Sequence, residues 1–87
     1  MISNTNIKNV KVSVGGLVKL LRKNEGLTQE QLGEKLGMSR ITVQNLESGK
    51  NATMDTLLKA LQHWDLLGSF QAYVENETNN NSHESLY

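Results

Sequence analysis

The sequence predicts an all-α domain of five helices built around a helix-turn-helix. Three observations carry that expectation. Apolar residues recur at helical spacing in several separate stretches, glycine-bearing or polar turns divide them, and no proline interrupts any of them. Residues 28–47, TQEQLGEKLGMSRITVQNLE, hold the central pair of helices. Thr28 is a good N-cap, with Gln31 at the spacing where cap and side chain satisfy each other's open amides. Leu32 and Leu36 share a face one turn apart, and Gly37 stops the helix because glycine tolerates the left-handed conformation. Ser39 caps the second helix, which turns Val43 and Leu46 inward. Arg40, Ile41, Gln44 and Asn45 then face outward, a mixture of charge, amide and methyl groups suited to reading base edges.

Eighty-seven residues make one small domain, near the size where a single core is only marginally sufficient. With no cysteine there is no disulfide or thiolate metal site, so stability falls to tight helix packing or a partner subunit. No stretch is apolar enough to span a bilayer and the N-terminus lacks a signal-like run, which leads us to expect a soluble, cytoplasmic protein. The net charge of zero hides a split. Residues 1–59 hold all nine Lys and Arg against five acids, a net +4, whereas residues 60–87 hold four acids and no base, a net −4. That asymmetry suggests a basic face for nucleic acid and an acidic tail.

Residues 1–13 read as an N-terminal arm or a short strand, since Val10, Val12 and Val14 alternate with Lys11 and Ser13. A disordered arm with chance alternation, and a basic arm placing Lys8 and Lys11 on phosphate, stay open beside the strand. Residues 14–74 form the predicted DNA-binding and dimerisation domain. From Gly16 to Asn24 a helix is expected to turn Leu17, Leu20 and Leu21 inward. Its Lys19, Arg22 and Lys23 are either a solvated face or phosphate contacts. Gln29 sits in the first turn of its helix, where open amides and the dipole favour a phosphate. Gly33 costs about 1 kcal/mol relative to alanine in mid-helix, so a close approach across the turn is its expected reason.

Residues 48–52 are a polar turn in which Lys50 and Asn51 are candidate phosphate contacts against a default of solvated loop. Thr53 is expected to cap a fourth helix with Met54, Leu57, Leu58 and Leu61 as its apolar stripe, closed by Trp64. A fifth helix from about Leu66 to Val74 carries Leu66, Leu67, Phe70, Tyr73 and Val74, more apolar surface than one small core needs. We therefore expect these five residues to form a homodimer interface, with purely internal packing as the alternative. Residues 75–87 are polar and asparagine-rich and are expected to be a disordered tail. Its last two residues, Leu86 and Tyr87, are either a chance ending or a short anchor for a partner's pocket.

Residues 17–64, and more loosely to 74, resemble the Cro/repressor helix-turn-helix family, the xenobiotic-response-element type. The matching residues are Gly26-Leu27-Thr28-Gln29, Leu32, Gly37-Met38-Ser39, Val43, Leu46-Glu47 and Ser48-Gly49-Lys50. Gly33 departs from the family's usual alanine. The resemblance implies that the second helix enters the major groove while the first lies across the backbone. Position by position, it makes Gln29 a phosphate contact and Ser39, Arg40, Ile41, Gln44 and Asn45 the groove-facing set. Glu47 is expected to be structural, paired with a basic side chain such as Arg22. Within the family the chain looks most like HipB-type antitoxins, on residues 53–61 and 65–70 and on the polar tail ending in Tyr87. That likeness implies a homodimer repressing its own operon and binding a HipA-like kinase toxin.

A stand-alone phage-type repressor or restriction-modification controller shares the DNA mechanism and lacks the toxin. A pure protein-interaction module would use neither Arg40 nor Asn45. Catalysis is disfavoured: His63 and His83 have no nucleophile, paired carboxylates or phosphate loop beside them, and no cofactor or metal is implied. A dimer would read an inverted repeat in double-stranded DNA.

Overall fold

The computed structural model describes residues 5–85, with side chains to Ser82. Five helices follow in order: α1 Ile7–Asn24, α2 Gln29–Leu36, α3 Arg40–Glu47, α4 Met54–His63 and α5 Leu67–Ser85. Helices α1 and α2 both pack on α3, α4 closes the far side against α2 and α3, and α5 joins the body chiefly through α4. The core is Val18, Leu32, Leu36, Val43, Leu46 and Ala60, with Val14, Leu27, Met38 and Trp64 packed around it.

The caps expected from sequence form. Thr28 and Gln31 make a reciprocal capping box at 3.0 and 2.9 Å. Ser39 and Thr53 accept the amides of Thr42 and Thr56, each at 3.1 Å. Gly37 takes φ +69° and ends α2, and the Met38 amide bonds back to the Gly33 carbonyl at 2.8 Å. Gly33 is a packing residue as expected, because a Cβ there would lie 2.6 Å from the Met38 carbonyl oxygen. Asp65 takes the left-handed conformation at the end of α4, and the Leu66 amide returns to the Leu61 carbonyl at 2.8 Å.

Elsewhere the structure corrects the sequence reading. Val10, Val12 and Val14 are not in a strand: they lie in α1, which starts nine residues earlier than expected. Asn6 caps it by accepting the Asn9 amide at 2.7 Å, and the cost of valine in a helix is only a few tenths of a kcal/mol. This longer helix also resets the inward face. Leu17 and Leu20 are 41% and 57% exposed, while Gly15, Val18 and Arg22 are buried and Val14 and Leu21 are half-buried. The inward stripe is thus Val14-Val18-Arg22, spaced i, i+4, i+8. Gly15 lets α1 cross α3 closely, since a Cβ there would meet the Glu47 and Leu46 carbonyl oxygens at 2.5 and 2.6 Å.

In α4 the expected stripe is shifted as well. Met54 is 73% exposed, and the buried residues are the small Thr56 and Ala60, one turn apart, flanked by half-buried Leu57, Leu58 and Leu61. Small side chains on that line let α4 approach the core. Helix α5 begins close to its expected start and runs on through residues 75–85, where the sequence predicts a disordered tail. Side chains there cap their own turns: Thr78 Oγ1 donates to the Val74 carbonyl and Asn81 Nδ2 to the Glu77 carbonyl. Residues 75–82 are solvent-exposed throughout. Leu86 and Tyr87, the candidate anchor, lie outside the described residues.

Candidate nucleic-acid interface

The interface is built on α3, whose inner edge is anchored by Val43 and Leu46 in the core. With those residues inward, Arg40, Ile41 and Gln44 stand exposed on the opposite face, and Asn45 is half-buried beside them. Arg40 Nη1 donates to Gln44 Oε1 at 3.2 Å, one turn along the helix. The guanidinium is therefore braced at the surface by an amide that itself carries hydrogen-bonding groups. Ser39 lies at the same edge, but its hydroxyl is engaged in the cap and with Thr42 Oγ1 at 2.9 Å.

A buried ion pair holds α3 in place. Arg22 of α1 reaches Glu47 at the end of α3 through Nε to Oε2 at 2.6 Å and Nη2 to Oε1 at 3.0 Å. Arg22 Nη1 also donates to the Leu27 carbonyl at 2.8 Å. Bonding to Glu47 raises the Arg22 pKa against the opposing effect of burial. The expectation that Glu47 is structural and partnered by Arg22 holds. Gln29 joins the same cluster, its Nε2 donating to Glu47 Oε1 at 3.1 Å. One carboxylate thereby ties together α1, the start of α2 and the end of α3.

Gln29, expected on phosphate, thus has its side chain turned to Glu47. The capping box takes the amides of Thr28 and Gln31, which leaves those of Gln29 and Glu30 at the open, positive end of α2. Lys50 and Asn51 are exposed in the loop after α3. Asn51 Oδ1 accepts from Lys11 Nζ, a short contact that draws α1 onto this loop and sets Lys11 near Lys50. The sequence leaves Lys11 in a short strand or an arm, with phosphate as one of its open roles. Because α1 begins at Ile7, Lys11 instead lies on a helix beside the Asn51 loop. The dimerisation candidates separate into half-buried Leu66 and Leu67 at the root of α5 and exposed Phe70, Tyr73 and Val74 beyond them.

A protein-family model described as Helix-turn-helix matches residues 18–63, just over half of the chain. The chain belongs to the helix-turn-helix family. Its domain is of the Cro/C1 type, which makes it a DNA-binding regulator. This helix-turn-helix protein is 38% identical over 50 residues to Antitoxin HipB of Escherichia coli strain K12, across 56% of this chain and 57% of the relative. It is 36% identical over 50 residues to Antitoxin HipB of Escherichia coli O6:H1, across 56% of this chain and 53% of that one. The chain spans about half the length of the curated relatives it matches. Among the described residues, no helix is long and apolar enough to cross a membrane and no group of His, Asp and Glu is placed to hold a metal ion.

Proposed function

We propose that this protein is a homodimeric transcriptional repressor that reads an inverted-repeat operator and serves as the antitoxin of a HipA-like kinase, repressing its own operon. The observation that carries the DNA half is the exposed row Arg40-Ile41-Gln44 on a helix locked from behind by the Arg22–Glu47 pair. In this reading Ser39, Arg40, Ile41, Gln44 and Asn45 meet base edges, with Arg40 suited to guanine, Gln44 or Asn45 to adenine and Ile41 to a thymine methyl. Gln29, Lys50 and Asn51 meet phosphates, Gln29 through its amide at the start of α2. Helix α5 supplies the dimer contact and Leu86 and Tyr87 the toxin anchor.

The antitoxin half rests on the likeness to the HipB proteins. The stand-alone repressor is kept as the second reading, because the family match ends at residue 63 and leaves α5 outside it. A pull-down of the full chain from its native cell separates them. Recovery of a kinase together with operator DNA supports the antitoxin, whereas recovery of DNA alone supports the plain repressor. If neither Arg40→Ala nor Asn45→Ala altered DNA recovery, the DNA half would fall and an interaction module would take its place.

A further inference from the structure

An open apolar groove of about 370 Å³ lies between the N-terminal half of α1 and the start of α4. Val10 and Val14 of α1, Met54 and Leu57 of α4 and Phe70 of α5 line it. Lys11 and Lys50 are the charged groups on its rim, with no carboxylate among its lining residues. We infer that the occupant of this groove is α5 of a second copy of the same chain. The inference rests on the homodimer reading above and narrows it to a particular pair of surfaces.

Continuity is the first argument. Phe70 is both a wall of the groove and the first residue of the exposed stripe Phe70-Tyr73-Val74, so groove and stripe form one apolar surface. A two-fold axis passing near Phe70 lays each copy's stripe on the other's groove, which is the self-complementarity a closed dimer requires. Charge is the second. From residue 60 onward the chain carries acids and no Lys or Arg. Glu77 falls one turn beyond Tyr73 on the face shared with Phe70, at i, i+3 and i+7. It therefore arrives at the rim where Lys11 and Lys50 stand, acid to base. Reach is the third. At 1.5 Å per residue, Phe70 to Glu77 spans about 10 Å of a helix that packs on its own body mainly at its root. The remainder of α5 is exposed, with Tyr73 and Val74 left uncovered.

Sedimentation equilibrium on the full chain, with circular dichroism to confirm the fold, tests this. The wild type is expected to be a dimer. Tyr73→Lys on the stripe and Val10→Lys in the groove should each weaken dimerisation at least about tenfold, since each buries a charge in the contact. Glu77→Lys should also weaken it, and adding Lys11→Glu should restore most of the loss. If Tyr73→Lys gives monomers while Val10→Lys and the charge swap change nothing, α5 dimerises elsewhere and the groove assignment is overturned while the dimer stands. A wild type that is monomeric at roughly 100 µM overturns both, and leaves the groove to a different occupant.

Discussion

Removing the Glu47 carboxylate should cost this domain a large share of its stability. The Glu47 side chain is 3% exposed and that of Arg22 10%. Glu47→Ala deletes both arginine contacts and the Gln29 contact, leaving the guanidinium with only the Leu27 carbonyl. Stripping one partner from a buried pair costs about 3–5 kcal/mol, because the other charge stays buried without compensation. At about 0.05–0.15 kcal/mol per residue, a domain of this length holds only about 4–13 kcal/mol in total. With a urea slope of about 1–1.5 kcal/mol per molar, the unfolding midpoint should fall by about 2–5 M. Glu34→Ala, an exposed carboxylate on α2, should shift stability by no more than about 0.5 kcal/mol and serves as the control. The double variant Arg22→Met/Glu47→Leu should recover much of the loss, since an apolar pair replaces a desolvated ionic one. It should still bind DNA less well, because the contact holding Gln29 against the end of α3 is gone. A midpoint shift below about 1 M for Glu47→Ala would refute the account of this pair as the clamp on α3.

Three further expectations follow from other parts of the molecule. Gly15→Ala should destabilise by about 1–3 kcal/mol through overpacking against the α3 backbone. Gly16→Ala, with open space around its Cβ position, should stabilise by about 0.5–1 kcal/mol; thermal unfolding of the two neighbours reads the contrast directly, and equal effects would mean that α1 does not cross α3 as closely as described. In DNA binding, Arg40→Ala should cost about 1–3 kcal/mol and relax preference at one base pair per half-site, whereas Lys50→Ala, which removes a side-chain phosphate contact, should weaken all sequences alike; a uniform loss from Arg40→Ala would remove it from the base-reading set. Finally, Glu25 is held below its ordinary value of 4.5, first by the hydrogen bond from His63 and then by that from Trp64. A depressed carboxyl contributes stability above its unfolded value and loses it as pH falls through the folded one. Wild type should thus lose more melting temperature on acidification below that value than Glu25→Gln, and parallel curves would contradict the contact.

The sequence alone determined the local features of this protein. Caps, turn glycines and the two-helix motif depend on residues within a few positions of one another, so Thr28 with Gln31, Gly37 and Ser39 were legible with their roles. The outward set on α3 was legible for the same reason, because an eight-residue helix with Val43 and Leu46 inside has one remaining face. Tertiary structure decided what depends on neighbours distant along the chain. Alternating valines suit a strand or a helix, and only packing against α3 put Val10, Val12 and Val14 into α1 and turned Leu17 and Leu20 outward. That same crossing explains Gly15, whose missing side chain answers to a backbone more than thirty residues away. It also brings Arg22, Gln29 and Glu47 to one point, and Lys11 to the loop at Asn51. Short-range rules fix how a helix starts and stops, but its rotation about its own axis is chosen by the surface it must fit.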